Sequence, residues 1–115
     1  MDPILTSMKA LSEEIRVRLM LVLLEGREAC VCELMEVFDM AQSKLSHHLI
    51  ALRDAGFLQD EKRGKWNYYR LNTRTLNPIN REIVDLLTRR FANDPIAVKD
   101  RQILKHVSCR RVTTN

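Results

Sequence analysis

The feature that most constrains this fold is a single change of hydrophobic period, which falls at Gly56. Before it, apolar residues recur at the three- and four-residue spacing of helices. After it, residues 57–63 and 65–71 flank Gly64. Side chains along the second segment alternate between two sides, with Trp66, Tyr68 and Arg70 on one of them, which predicts a β-hairpin. The 115 residues contain only three Gly and three Pro, so the remainder favours helix over a loop-rich or all-β fold.

Six helices are predicted around this hairpin. Ser12 is expected to cap the second helix, which ends at Gly26, and Asn77 with Pro78 to begin the fifth. The predicted ranges are 4–11, 13–26, 32–38, 42–55, 78–91 and 96–107. Three helices, a turn at 39–41, a helix and a hairpin give the order of a winged helix-turn-helix, mainly α with a β-hairpin wing. One domain is expected over residues 1–108, followed by a polar tail at 109–115.

Charge is consistent with a nucleic-acid partner. The formal net charge is +4 and the pI is about 9.2. Between residues 41 and 70, basic side chains exceed acidic ones by three. There is neither an apolar run of about 18 residues nor a secretory signal at the start. We therefore expect a cytoplasmic protein with no membrane partner, whose three cysteines are reduced thiols.

Cys30 and Cys32 are the first candidate ligands. Side chains two apart in a continuous helix point to nearly opposite sides, so the pair can share an ion only where the backbone is extended, as at a helix start. There the positive helix end is expected to lower the thiol pKa values. Thiolates select soft ions, including Zn, Cd, Cu(I) and thiophilic metalloids. The alternative is that both are small core residues.

Several short sequence motifs occur in order between residues 8 and 71. They are Ala10-Leu11-Ser12 with Arg16 and Arg18, Cys30-Val31-Cys32-Glu33-Leu34, Gln42 through Leu49, Leu52-Arg53-Asp54-Ala55-Gly56, and Gly64-Lys65-Trp66 through Tyr69-Arg70-Leu71. Together they resemble the ArsR/SmtB family of metal-sensing repressors, in its arsenical-responsive branch. The resemblance implies a homodimer that represses transcription and leaves DNA when As(III) or Sb(III) binds as inducer, with no organic cofactor.

The chain departs from the family pattern at three places. Ala41 stands where a capping Ser is common, which costs about 1 kcal/mol at that helix end. Met35 stands where relatives carry a third Cys, and residues 78–91 lack the His of the family's zinc site. Cys109 is the only other thiol and the candidate third metal ligand. The alternative is that Cys109 is a tail residue without a role. The site would then have two thiol ligands from the protein, and solvent, buffer or an external thiol would supply the third ligand.

The helix that begins at Gln42 is predicted to read DNA. His47 is a candidate DNA contact, Gln42, Ser43 and Ser46 are candidates for base edges, and Lys44 for phosphate. Arg63 and Lys65 on the wing are candidates for phosphate or the minor groove. The alternative is a solvated polar face and a charged hairpin tip. His48 is interpreted as structural. Dimer contacts are expected from the first helix and residues 78–91, which would address an operator with an inverted repeat.

Other functions are weighed against this interpretation. Oxidation of the thiols could replace metalloid binding, or the inducer could be a soft divalent metal such as Cd, Pb or Zn. An oxyanion reductase is disfavoured, because the chain has no CxxC motif, no Ser/His/Asp set and no phosphate-binding Gly loop. We expect no enzyme. A protein–protein module without DNA binding is the remaining alternative.

Overall fold

The computed structural model describes residues 3–107, apart from the side chain of Glu25. Six α-helices and three strands follow one another, with a short 3-10 helix at Leu24–Gly26. The elements are α1 (Pro3–Ala10), α2 (Glu14–Val22), β1 (Glu28–Cys30), α3 (Val31–Phe38), α4 (Gln42–Asp54), β2 (Leu58–Arg63), β3 (Trp66–Leu71), α5 (Pro78–Arg90) and α6 (Pro95–His106). This order confirms the predicted winged helix-turn-helix.

The sheet contains one strand more than the sequence predicted. Strands pair antiparallel in the order β1-β3-β2, so β3 is central and β1 is an edge. In the pairing of β1 with β3, Glu28 lies opposite Arg70 and Cys30 opposite Tyr68. A strand of three residues is too short to show alternation, and it forms because β3 offers a free edge. The hairpin thus becomes a three-stranded wing attached to the start of α3.

The start of α2 differs from the prediction. Ser12 does not cap it, because its hydroxyl donates to the carbonyl of Lys9 at 2.8 Å, at the end of α1. Glu13 occupies the capping position, and its side chain makes no capping hydrogen bond to a backbone N–H of the helix. The α-helix also ends at Val22, and the 3-10 turn completes the path to Gly26, whose φ of 74° suits glycine.

The core lies between the helices and the inner face of the sheet. Leu45, Leu49 and Leu52 of α4 are fully buried, as their spacing predicted, and Phe57 and Tyr69 join them from the wing. Truncation of such a leucine to alanine costs about 2–5 kcal/mol. Helix α4 is therefore held on one face, and its opposite face is left to solvent.

The last two helices have strong N-terminal caps. Asn77 Oδ1 accepts from the backbone N–H of Asn80 at 2.7 Å, which confirms the predicted start of α5. Asp94 caps α6, which begins at Pro95, one residue earlier than predicted. Arg18 of α2 then holds α6 in place, with its guanidinium donating to both oxygens of the buried Asp100 at 2.9 and 2.8 Å.

Candidate functional site

The two cysteines of the CxC sequence meet at the junction of β1 and α3. Cys30 is a free thiol, whereas Cys32 is disulfide-bonded, contrary to the expectation that the cysteines are reduced. Cys30 is the last residue of β1 and occupies the N-cap of α3 with extended backbone, φ −84° and ψ 159°. Cys32 lies in the first turn of α3, and the two sulfur atoms are 2.9 Å apart. The extended cap removes the opposition that a continuous helix would impose. The sequence analysis required extended backbone for the two side chains to approach each other, and Cys30 has it.

This cap is fixed by a carboxylate. Glu33 Oε1 accepts a hydrogen bond from the backbone N–H of Cys30 at 2.9 Å, which is half of a capping box. The side chain of Cys30 is buried between the sheet and α3, at 1% exposure, whereas Cys32 is half-buried. One sulfur is thus a rigid part of the core, and the other lies nearer the surface.

The expectation of a lowered thiol pKa is wrong for Cys30. Burial raises the pKa of this thiol, and the nearby Glu33 carboxylate adds to the effect. Backbone N–H groups of Glu33 and Cys32 act in the opposite direction but do not prevail. Desolvation of the charged form therefore outweighs the helix end. Cys30 rests as a protonated thiol at neutral pH.

A cavity of about 440 Å³ opens beside Cys32. Its lining includes two thioethers, those of Met35 and Met40, and reaches Ala41 at the N-cap of α4. Glu36 and Asp39 contribute carboxylates. The cavity thus lies between the thiol pair and the turn of the helix-turn-helix.

The donor set near the thiols is small. Within residues 3–107, no three side chains of the types His, Cys, Asp and Glu converge as a metal site. Cys109, the predicted third ligand, lies outside the described residues. Thiolates about 2.3 Å from a shared ion lie about 3–4 Å apart, so the sulfurs of Cys30 and Cys32, at 2.9 Å, would have to move apart to share one soft ion.

The predicted DNA-reading side chains share one face of α4. Gln42, Ser43, Lys44 and His47 are exposed, and Ser46 is half-buried. Ala41 has extended backbone and gives α4 no side-chain cap, as expected. The first turn of α4 therefore presents polar side chains together with free backbone N–H groups, which is the arrangement that contacts base edges and phosphates.

Beneath this face, His48 supports α4. It is 6% exposed, and its Nδ1 accepts a hydrogen bond from Arg16 Nε at 3.0 Å. Burial lowers the pKa of His48, and the positive charge of Arg16 also opposes its protonation. The imidazole is therefore neutral, and its structural interpretation agrees with this position. Arg16 also pairs with Glu13 at 3.0 Å.

The wing has less available positive charge than its sequence suggested. Arg63 donates to both carboxylate oxygens of Glu28 at 2.7 Å each, and to Glu61 at 3.0 Å. Arg70 contacts the same two carboxylates at 3.2 Å. Lys65 lies over the Trp66 ring at 5.5 Å. Of the two predicted wing contacts, Arg63 is thus held in an ion-pair cluster across the sheet.

Glu28 was missed by the sequence reasoning. It precedes the thiols by two residues and lies opposite Arg70 in the sheet. Arg63 and Arg70 hold the pKa of the Glu28 carboxyl below its usual value. The only signal in the sequence was an acidic residue close to the CxC segment. Its pairing with the wing could not be predicted, because strand β1 was not predicted.

Fold and site together define a winged helix-turn-helix regulatory protein. Residues 13–60 match the family described as "Bacterial regulatory protein, arsR family". Over 78 residues, the chain is 37% identical to the arsenical resistance operon repressor of Staphylococcus xylosus, covering 68% of this chain and 74% of that one. The chain belongs to the arsR family of bacterial regulatory proteins.

Two further similarities agree. The arsenical resistance operon repressor of Bacillus subtilis (strain 168) is 44% identical over 69 residues, which is 60% of this chain and 66% of that protein. Reduced HlyU from Vibrio cholerae N16961 superposes with a TM-score of 0.66 at 27% identity, covering 79% of this chain and 90% of that structure.

The matches to curated relatives are partial. The matched segments span between 50% and 66% of the length of the first four such proteins. The family match over residues 13–60 contains Cys30, Cys32, α4 and the first part of the wing. No helix within residues 3–107 combines the length and apolarity needed to cross a membrane.

Proposed function

We propose that the chain is a homodimeric repressor of arsenical resistance genes, which leaves operator DNA when Cys30 and Cys32 bind trivalent arsenic or antimony. The observation that carries the proposal is the 2.9 Å approach of the two sulfurs at the N-cap of α3. Relatives named as arsenical resistance operon repressors support the assignment of the inducer.

DNA binding is assigned to α4 and the wing. Gln42, Ser43, Ser46 and His47 would contact base edges, while Lys44, Arg63 and Lys65 would contact the backbone. The exposed first turn of α4 supports this assignment. For Arg63 the contact requires exchange of the Glu28 carboxylate for a phosphate.

The dimer is assigned to α1 and α5, which pack against each other. Ser7 of α1 donates a hydrogen bond to Asn80 of α5, and both are buried. On the outer side, Leu5, Met8 and Leu86 are between 50% and 59% exposed. Large apolar side chains on adjoining helices favour burial against a second copy. Two reading helices would then address an inverted repeat with half-sites about 34–36 Å apart.

The inducer would act through the helix-turn-helix itself. Cys30 belongs to β1, and Cys32 to α3, which connects to α4 through Asp39, a residue in left-handed conformation at φ 48°. An ion bound to both sulfurs separates them and strains the cap of α3. The resulting shift of α3 would disfavour the DNA-bound arrangement, with a coupling free energy of about 1–3 kcal/mol.

Arsenite titration of a protein–DNA complex tests this function. A labelled duplex selected from random sequence by the protein is followed by fluorescence anisotropy in the presence of reductant. Arsenite should release the wild-type protein but neither Cys30→Ser nor Cys32→Ser, and both variants should still bind DNA. Release of both variants by arsenite would refute the thiol site. Response to Cd(II) but not to arsenite would favour the divalent-metal alternative.

The third ligand is tested separately. X-ray absorption at the arsenic edge counts sulfur neighbours in the wild-type protein and in Cys109→Ser. A fall from three sulfurs to two would assign Cys109 to the site, whereas an unchanged count would leave a two-thiol site.

The redox alternative is supported by Cys32, which is disulfide-bonded in the structure. Cys30 is less suited to oxidation, which requires exposed thiolate, because it is buried and its pKa is raised. Release of DNA by peroxide in the absence of arsenite would favour this alternative.

A further inference from the structure

We propose that a cavity between α5 and α6 binds a small organic anion that carries an apolar body. The cavity has a volume of about 510 Å³, which is within the range of small-molecule sites. Neither Cys30 nor Cys32 belongs to its described lining. The proposal therefore goes beyond the proposed function and does not depend on a response to arsenic.

One face of α6 forms a wall of this cavity. Four of its lining residues follow one another at spacings of one, three and four, so they lie side by side on the helix, and they are Val98, Arg101, Gln102 and Lys105. The last turn of α5 and the two residues after it also line the cavity. The segment that leads from the 3-10 helix to β1 completes the lining.

Three cations line the cavity, and they are Arg27, Arg101 and Lys105. Among the described side chains of residues 3–107, none is an ion-pair partner of these three. None of the described lining residues is acidic. Arg101 and Lys105 lie one turn apart on α6, a spacing at which like charges destabilise a helix. A bound anion would offset this repulsion.

The cavity also has an apolar part. Leu24 and Phe91 are partly buried against the hydrophobic core, and Val98 adds a third apolar side chain to the lining. Thr88 and Gln102 contribute groups that can form hydrogen bonds. Apolar walls with a few polar and charged groups are typical of sites for small organic ligands. An anion with an apolar body uses both parts of this lining.

Other occupants use only one part of it or are opposed by charge. A DNA backbone would pair with the cations but would leave the apolar side chains without a partner. Residues 108–115, which follow α6, include Arg110 and Arg111 and no acidic residue. Like charges repel, so charge disfavours this segment as the occupant.

Isothermal titration calorimetry with naphthyl phosphate tests the site in the full-length protein. The naphthyl ring supplies the apolar body, and the phosphate supplies the anion. We expect one saturable site per chain. Apolar burial and pairing of the charge each contribute about tenfold or more in affinity. Inorganic phosphate and naphthol, which each lack one of the two parts, should therefore bind at least about tenfold more weakly.

Substitutions on α6 test the role of the cations. Loss of one hydrogen bond to a charged group weakens binding about tenfold, so Arg101→Gln and Lys105→Gln should each have this effect. Lys99→Gln is the matched control, because Lys99 is an exposed cation of α6 that does not line the cavity. It should bind naphthyl phosphate as the wild type does. An unchanged unfolding midpoint will verify the fold of each variant. Lys105 is exposed, so its variant keeps the test decisive if Arg101→Gln does not fold.

Three results would overturn the proposal. The first is absence of saturable binding of naphthyl phosphate by the wild-type protein, and the second is equal affinity of Arg101→Gln, Lys105→Gln and Lys99→Gln. The third is a loss of DNA affinity in Arg101→Gln without a change in naphthyl phosphate binding, which would assign this cation to DNA. Arsenite-driven release of DNA is measured separately. Its failure would refute the proposed function and leave these affinities to decide the anion site.

Discussion

Glu28 and Arg63 form a bidentate ion pair, with both guanidinium–carboxylate distances at 2.7 Å. The pair joins the strand that ends in Cys30 to the tip of the wing. It also places a carboxylate where a DNA phosphate would bind if Arg63 contacts DNA as proposed, since both anions present the same oxygens to the guanidinium. The proposed inducer ligand Cys30 and the carboxylate that holds Arg63 are therefore two residues apart on one strand, β1.

Replacement of Glu28 by Gln should tighten DNA binding. The change removes the charge that competes with phosphate and keeps a side chain of similar shape. One additional phosphate contact raises the slope of log affinity against log salt by about one unit. Anisotropy titrations at several salt concentrations measure this slope. Glu36→Gln, which changes an exposed acid on α3, is the control, and equal slopes for the two variants would contradict the competition.

Acidification should destabilise the fold through His48. Its pKa is lowered in the folded protein, so below about pH 6.5 the unfolded chain binds the proton more readily than the native state does. The free energy of unfolding therefore falls as pH decreases, by at most about 1.4 kcal/mol per pH unit from this group. Urea unfolding at pH 7.5 and 5.5 should show a smaller decrease for His48→Gln than for the wild type. His47→Gln, at an exposed site, should keep the wild-type dependence.

A charge at Leu86 should dissociate the dimer. Leu86 is 54% exposed on α5, and burying a leucine contributes about 1.5–3 kcal/mol. Leu86→Lys should therefore raise the dimer dissociation constant at least about tenfold, as measured by sedimentation equilibrium. Ile96→Lys is the matched control, because Ile96 is 50% exposed on α6. If both variants dissociate equally, α5 does not form the interface.

Serine at position 41 should stabilise the reading helix. Ala41 already has the extended backbone of an N-cap and makes no side-chain hydrogen bond there. A hydroxyl that accepts from the first turn adds about 1 kcal/mol to the free energy of unfolding. Chemical denaturation of Ala41→Ser measures the gain. Ala41→Thr should gain less, and a loss of stability for both would show that the N–H groups are already satisfied.

The raised pKa of Cys30 predicts an arsenite affinity that changes little with pH near neutrality. Cys30 is protonated there, and exchange of As(OH)₃ with two protonated thiols releases water and no net proton. Arsenite affinity of the reduced protein should therefore be nearly constant between about pH 6 and 7.5. Binding titrations at three pH values measure it, and a steep pH dependence would contradict this exchange.

Much of the architecture follows from local sequence signals. The leucines of α4 recur with helical period, Asn77 and Pro78 mark a helix start, and Gly64 marks a tight turn, so each element is specified within its own residues. The misassigned Ser12 shows the limit of such signals. Its hydroxyl serves the end of α1 rather than the start of α2, and the sequence supports both roles equally.

The site was only partly predictable, because its geometry depends on distant partners. The extended backbone at Cys30 arises from strand pairing with Tyr68, which no local pattern indicates. Burial then raises the pKa of the Cys30 thiol, whereas the sequence analysis expected it to be lowered. Likewise, the sequence marks Arg63 as a basic wing residue, but its engagement by Glu28 depends on the register of β1 against β3.

The strand β1 also separates two kinds of specificity. Its end fixes Cys30, while Cys32 lies on α3 and the side chains proposed to face DNA lie on α4. Substitutions around the cysteine pair are therefore expected to change the response to the proposed inducer without altering the proposed DNA-reading face. A biosensor could be retuned in the same way, by exchanging one helical turn and leaving the DNA-reading helix intact.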